Sequence, residues 1–498
     1  MNVLFLIYLG LLCSILPLYM KTGYYELGEA KAICYLALSI PFVVMVVVNY
    51  VIKRKKILGE KGSTEKTSLP QLFLYGTIYS HILSLIFSVD IKTAFLGYEG
   101  WRNGFLSAIV ALVIAIYVSR EKNLKYKLIF VIALFLVPFF EFVLSIINRF
   151  GIYPFVIKGQ NASFVATLGN INWLSGFLSI WVSLGLELMY CLKRFSGWWW
   201  ISFVYALTGI LALLLQGSDG GILILAACFL FMLWISLDSW ESFKSFLLVL
   251  MVMGFGMTIV DIVIGIFDAY SYDSNILISI CQSHAGIIIL AAAFFLYRIV
   301  RLLEEIKVVF IEKVFRRIYL VALAVIAIAA VALFAMNFSD SFGNGRGIIW
   351  RICADMYVNL PSWQKVVGIG QDCLYPFAMK DAFWSDSFRN IFGTDILTNA
   401  HCEILTILLE RGLIGAICYV GLFVSILYEL VRAKEKEPIA VIYGLPIISY
   451  FLYNQVSFSQ VTSMPYCMIL VGLSIGLISR PKEKTKTDDL LIKGRNSN

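Results

Sequence analysis

Two short stretches of this 498-residue chain hold residue types fit for chemistry. The first is Asn399-Ala400-His401-Cys402-Glu403. The chain has three histidines, His81, His284 and His401, and only His401 falls in a long polar stretch, where that stretch meets an apolar run. An imidazole there can act as a general base near neutral pH, or it can simply hydrogen-bond the backbone at an interface. The second is Asn344-Gly345-Arg346-Gly347-Ile348-Ile349-Trp350-Arg351. Its two arginines stand near the start of an expected helix, and a guanidinium offers a fork of donors suited to phosphate oxygens. The plainer reading is a solvated loop arginine, or one reaching back to lipid phosphate.

Weaker signals surround these. Val367-Gly368-Ile369-Gly370-Gln371-Asp372 reads as a tight turn and is no dinucleotide fingerprint, because GxGxxG is missing. Thr167-Leu168-Gly169-Asn170-Ile171-Asn172-Trp173 and Phe95-Leu96-Gly97-Tyr98-Glu99-Gly100-Trp101-Arg102-Asn103-Gly104 read as turns or as the starts of helices. Glu141, Asp261 and Asp219 lie in or beside apolar runs and read as structural, as does His284 with Gln282. No P-loop, HExxH, GxSxG or external DxD motif is present, and the ten cysteines form no CxxC pair. No metal and no cofactor is therefore expected. Cys353, Cys373 and Cys402 lie outside the apolar runs and read as free thiols in preference to a disulfide.

What must position these residues is a membrane bundle. Hydrophobic residues make up 60% of the chain and charged residues 14%, with a mean hydropathy of +0.85. Such a composition cannot cover a soluble protein's surface, so a soluble enzyme, a disordered chain and a disulfide scaffold are excluded. Apolar runs predict spans near 2–20, 30–52, 69–88, 104–119, 128–148, 171–191, 199–216, 221–237, 245–267, 275–297, 318–336, 413–431, 438–455 and 464–479. The first is read as a span and not a cleaved signal, since no basic leader precedes it. With the N-terminus in the cytoplasm, the alternate connections and the tail 480–498 hold 28 of the 40 lysines and arginines. That alternation fits the positive-inside rule. It also explains the net charge of +8 without any nucleic acid.

Residues 337–402 break the pattern of short connections. This expected extracytoplasmic loop contains Trp350, Trp363, Trp384 and helical-looking pieces such as 348–358. Long ordered loops on a rigid scaffold tend to carry function. It also holds five of the twelve basic residues off the cytoplasmic side: Arg346, Arg351, Lys365, Lys380 and Arg389. The expected organisation is therefore 1–336 as N-terminal spans, 337–402 as the large loop, 403–479 as three further spans and 480–498 as a basic tail beside anionic lipid.

These stretches, in this order, resemble the O-antigen ligase/polymerase-like membrane glycosyltransferases. His401, a nine-residue interval after Cys402, and Gly412-x-x-Gly415 resemble that family's H-[NSQ]-x9-G-x-x-G motif. Arg346 to Trp350 resembles its arginine-bearing helix start, Pro361 to Gly370 its P…G-x-G segment, and Thr167 to Asn172 its GN-x-N motif. Cys402 departs from the usual amide or hydroxyl, and Gly217-Ser218-Asp219-Gly220 stands where members often have Ser-Arg. The resemblance implies an all-α polytopic bundle of about 12–14 spans, GT-C-like, in the bacterial cytoplasmic membrane, with both termini cytoplasmic. It implies transfer of a glycan from undecaprenyl pyrophosphate to a hydroxyl on a glycan or lipid acceptor, by a ligase or a repeat-unit polymerase. His401 would be the catalytic base. Arg346 would bind the pyrophosphate, followed by Arg351, Arg102 and Arg411. Asn170, Gly368, Gly370, Gly412 and Gly415 would shape the site, and no metal would be required. The competing class is a lipid-linked oligosaccharide flippase or another polysaccharide transporter, which would line a central cavity with charges from its spans.

Overall fold

A computed structural model describes residues 2–57, 67–120, 128–267, 270, 275–434 and 438–479. The expected basic tail and parts of several expected cytoplasmic connections lie outside the described residues. The chain is all-α. Its N-terminal half runs α1 Asn2–Leu18, α2 Leu27–Ile57, α3 Leu69–Ile86, α4 Ile91–Leu96, α5 Phe105–Arg120, α6 Leu128–Arg149, α7 Ile171–Cys191, α8 Gly197–Leu215 and α9 Gly221–Ser236. Then come α10 Trp240–Ile266, α11 Ile276–Gln282, α12 Ala285–Glu305 and α13 Glu312–Asn337. A helical insert follows: α14 Phe342–Asn359, α15 Ser362–Val367, α16 Leu374–Lys380 and α17 Ala382–Phe392. The chain closes with α18 Glu403–Ala433, α19 Gly444–Tyr453 and α20 Met464–Ile478.

Eight of these helices, α2, α3, α7, α8, α10, α12, α13 and α18, are long and apolar enough to cross a membrane. The apolar helices α1, α5, α9 and α20 are shorter. The chain is accordingly a multi-pass membrane protein. Its outward faces agree, since Ile287, Ile288 and Phe295 of α12 and Val321, Val325 and Ile328 of α13 are exposed. Hydrocarbon solvates such side chains, and helices satisfy the backbone within it.

Every expected span falls on a helix, with three changes of boundary. The expected span 275–297 is divided at His284, whose φ of 60° separates α11 from α12. The expected span 438–455 is a 3-10 turn, Pro438–Tyr443, followed by the ten residues of α19. At a rise of about 1.5 Å per residue, α19 alone is too short to cross. The expected span 413–431 begins ten residues early, because α18 starts at Glu403 and breaks at Gly412.

The core is centred on α7, which packs against α8 and α19, while α3 packs on α18 and α5 on α20. Local chemistry sets several starts. Ser68 caps α3 in a reciprocal box with Gln71, Asp90 caps α4 through the Lys92 and Thr93 amides, and Asp381 caps α17. The insert 337–402 has its own apolar core, in which Ile352, Met356, Ile369, Leu374 and Phe388 pack with Ala94 and Leu409. By contrast α13 buries none of its residues. Its end is joined to the insert by Phe334 and Phe338 around Trp350.

Candidate functional site

The site is built around the break in α18. At Gly412 the backbone adopts φ 64° and ψ −167°, a region open to glycine and to essentially nothing else. The break would strand the last carbonyls of the 403–411 segment. The Gly368–Gly370 turn satisfies them, as the Ile369 amide donates to the Leu409 carbonyl at 2.9 Å and the Gly370 amide to Glu410 at 3.1 Å. The Ser84 hydroxyl donates to the same Glu410 carbonyl at 2.5 Å. Gly368 permits the approach, since a Cβ there would lie 2.1 Å from the Glu410 oxygen. The turn is tied to the end of α3 as well, through the Val89 amide on the Ile369 carbonyl and Gln371 Nε2 on the His81 carbonyl, both 2.9 Å. Gly368, Gly370 and Gly412 thus clamp the insert onto two long helices.

Asp372 extends the clamp. Its carboxylate accepts the Tyr98 amide at 2.7 Å and the Asn103 amide at 3.1 Å. Glu29 grips the same 97–104 loop from α2, accepting the Gly100 amide at 2.9 Å and Arg102 Nε at 2.8 Å. Asn103 Nδ2 donates to the Ser459 carbonyl at 2.9 Å. Burial pushes the Asp372 carboxyl up to about 7, against the two amides and Arg102, which favour its charge. A folded-state value above the unfolded one means the native state binds more protons, so this residue's contribution to stability is present at low pH and declines as pH rises from about 4 to about 7. The melting temperature should fall over that window, and Asp372→Asn should flatten the fall. An unchanged slope in the variant would assign the titration elsewhere.

His401 precedes α18 with φ 48°, its amide donating to Asn399 Oδ1 at 3.0 Å. Its ring stands edge-to-face on Phe458, with centroids 5.5 Å apart. Burial first, and then Arg346, push its imidazole down to about 4, so the ring is neutral at pH 7. Arg346 follows three residues in the left-handed region, Gly343, Asn344 and Gly345, which kink α14 near its start. Arg346 lies within electrostatic reach of both His401 and Tyr453. The Tyr453 hydroxyl donates to the Asn172 carbonyl at 2.6 Å, and Ser218 Oγ donates to Asn172 Oδ1 at 2.7 Å. Asn170 caps α7 through the Asn172 amide at 2.9 Å. The 167–173 and 217–220 stretches therefore reach the same polar cluster as Arg346.

The four arginines singled out by sequence differ in their partners. Arg351 is paired with Asp340 through Nε at 3.0 Å and Nη2 at 2.6 Å. Arg102 is held by Glu29. Arg411 is buried and donates to His81 Nε2 at 2.8 Å. Among the described residues, Arg346 alone of the four has no ion-pair or hydrogen-bond partner. It is half-buried beside His401.

Near His401, where Asn399 and Phe458 also line it, lies a feature absent from the sequence reading. A chamber of about 100 Å³ is lined on one side by His81, Gln371, Asp372, Glu403, Glu410 and Arg411 and otherwise by apolar side chains such as Leu112, Ile407 and Met468. Because a guanidinium only donates, His81 Nε2 is the acceptor and its proton sits on Nδ1. That Nδ1 and Gln371 Oε1 have no protein partner. The chamber is roomy and polar enough for ordered water. No spacing pointed to it, since His81 and Arg411 are 330 positions apart; the signal was a histidine within an otherwise apolar span. The carboxylates noted in the apolar runs do have partners. Asp261 meets His284 Nδ1 at 2.7 Å, Asp219 accepts the Ile276 amide at 3.0 Å, and Glu141 holds Thr167. Cys353, Cys373 and Cys402 are free thiols. No three His, Cys, Asp or Glu side chains are grouped to hold a metal ion among the described residues.

No known family model matches the chain, and no curated protein matches it. The resemblance to the O-antigen ligase/polymerase-like enzymes rests on the quoted motifs alone.

Proposed function

We propose that this protein is a membrane glycosyltransferase, GT-C-like in architecture, that moves a glycan from undecaprenyl pyrophosphate to a hydroxyl acceptor. It acts as a polysaccharide ligase or repeat-unit polymerase at the extracytoplasmic face of a bacterial cytoplasmic membrane, with the 337–402 insert facing outward. The observation that carries this reading is His401, neutral at pH 7 and so able to accept a proton, within electrostatic reach of Arg346, which has no counter-ion among the described residues. His401 accepts the acceptor's hydroxyl proton as that oxygen bonds the anomeric carbon. The bond from that carbon to phosphate breaks, and its electron pair leaves with the lipid pyrophosphate. Arg346 meets the growing charge. The leaving group is already activated, so the step asks for no metal.

Arg351, Arg102 and Arg411 hold protein groups and are assigned to positioning. With a purified polyprenyl-pyrophosphate glycan donor, Arg346→Ala should lower kcat by about 10²–10³. Arg351→Ala removes an exposed pair, worth roughly 1 kcal/mol or less, and should change the rate by less than about tenfold. Equal losses in both variants would reject the division of roles. Product analysis over a panel of acceptors separates ligase from polymerase, because only a polymerase lengthens the donor's own chain.

One observation favours a second reading. The chamber places Glu410, Arg411 and His81 inside the helix bundle, as a flippase or proton-coupled transporter would. Full glycan transfer by Glu410→Gln together with loss of transfer by His401→Ala favours the enzyme. The reverse pattern favours the transporter.

A further inference from the structure

We propose that Glu403 is a positioning residue for His401, holding Phe458 against the imidazole by gripping the Ser459 amide. This rests on the transferase reading above and adds to it the means by which the base keeps its orientation. The backbone at His401 is fixed by its left-handed φ of 48° and by its amide on Asn399 Oδ1 at 3.0 Å. Neither holds the ring, which can still turn about its own side-chain torsions. Among the described residues no protein group hydrogen-bonds the ring nitrogens of His401. A base that activates a nucleophile is itself commonly oriented by a third group. Here that group is Phe458, whose ring meets the imidazole at 86° with centroids 5.5 Å apart. An edge-to-face contact of this kind has a preferred geometry, and it leaves both nitrogens to the substrate.

Phe458 needs holding in its turn. It stands in a segment without helix, between the 3-10 turn Asn454–Val456 and α20. Irregular backbone within a membrane bundle must find its hydrogen bonds in the surrounding protein. Two elements supply them at the next residue. Glu403 Oε2 accepts the Ser459 amide at 2.8 Å, and Asn103 Nδ2 donates to the Ser459 carbonyl at 2.9 Å. The Ser459 amide belongs to the planar peptide unit that also contains the Phe458 Cα. Fixing that N–H therefore fixes the atom that carries the Phe458 side chain. Glu403 is the first residue of α18 and follows His401 by two positions, so the base and the group that holds its packing partner share one helix start. Both Glu403 and Phe458 are buried. A buried carboxylate is unfavourable unless it is hydrogen-bonded, and Glu403 makes such a bond to the loop that carries Phe458.

The test uses the full-length protein in detergent micelles with a purified polyprenyl-pyrophosphate glycan donor. Two variants separate the hydrogen bond from the charge, which also faces Arg411 across the chamber. Glu403→Asp keeps the charge and withdraws the carboxylate by one methylene from the Ser459 amide. Glu403→Gln drops the charge and keeps an acceptor oxygen at the original reach. Glu403→Asp should lower kcat by about 10–10² while KM for donor and acceptor stays within about twofold, and Glu403→Gln should recover the rate to within about fivefold of wild type. Phe458→Ala should show a loss like that of Glu403→Asp, and combining the two should add no further loss. An impaired Glu403→Gln beside an active Glu403→Asp would place the effect in the charge and overturn the proposal, as would equal rates in the two or additive losses with Phe458→Ala. A second readout needs no turnover. With isotope-labelled histidine, and the signal assigned by His401→Asn, the His401 ring should give one sharp resonance in wild type and Glu403→Gln and a broadened or split one in Glu403→Asp. A sharp signal in a folded Glu403→Asp would remove the positioning role and leave the transferase reading standing. A wild-type protein that transfers no glycan would remove the transferase reading, while the ring signals still decide what holds His401. Melting curves check each fold. Should Glu403→Asp not fold, an active Glu403→Gln with an impaired Phe458→Leu sustains the proposal, and any other pairing overturns it.

Discussion

Replacing His401 by alanine should lower glycan transfer by about 10²–10⁴, the usual range for loss of a general base. The protein should remain folded, because the imidazole packs edge-to-face on Phe458 and the hydrogen bond to Asn399 is made by the backbone. The position is left-handed, so His401→Asn is the better control, since asparagine tolerates φ near 48°. It should be equally inactive and at least as stable. The readout is transfer from purified polyprenyl-pyrophosphate donor at matched protein amounts. Wild-type rates in both variants would remove His401 from the chemistry. The pH profile gives a second check. The active form is the neutral ring, so activity is lost as pH falls through the His401 midpoint. In the free protein that midpoint lies near 4, so before donor binds the acid limb should lie well below the ordinary histidine range.

How much of this was legible in sequence depends on the range of the interaction. The helices were legible because hydropathy is local: each expected span needs only its own residues to be read, and twelve of the fourteen fell on a single helix, 275–297 and 438–455 being divided. The paired state of the arginines was not. Arg351 meets Asp340 only because Gly343 to Gly345 turn left-handed and fold eleven residues back on themselves. Asp372 reads as a turn residue until the 97–104 loop, more than 250 positions away, brings two amides to it. Arg411 reads as a candidate phosphate ligand in a string of letters. In three dimensions its guanidinium is buried and spent on His81. Spacing could nominate the four arginines, and only packing could separate Arg346 from the others.

The glycines were nominated for closeness, and here the structure makes the strongest prediction about stability. Gly412→Ala should cost about 4 kcal/mol or more, a large share of the roughly 5–15 kcal/mol that holds a typical protein folded. Two costs add. The backbone at φ 64°, ψ −167° is hostile to any side chain, worth about 1–3 kcal/mol. The new Cβ would also lie 2.3 Å from both the carbonyl carbon and oxygen of Val366, neither of which is a flexible side-chain end. Relief requires the Gly368–Gly370 turn to withdraw, which breaks the hydrogen bonds from the Ile369 and Gly370 amides and leaves the Leu409 carbonyl unpaired. Thermal unfolding in detergent should show a lowered Tm, and limited proteolysis should open the insert before the bundle. Gly393→Ala is the matched control: its φ of 61° is also left-handed, but nothing lies within 4 Å of the new Cβ. That variant should suffer the backbone cost alone. If the two variants melt alike, the clamp at the helix break is not what fixes the insert, and the placement of Arg346 beside His401 would need another support.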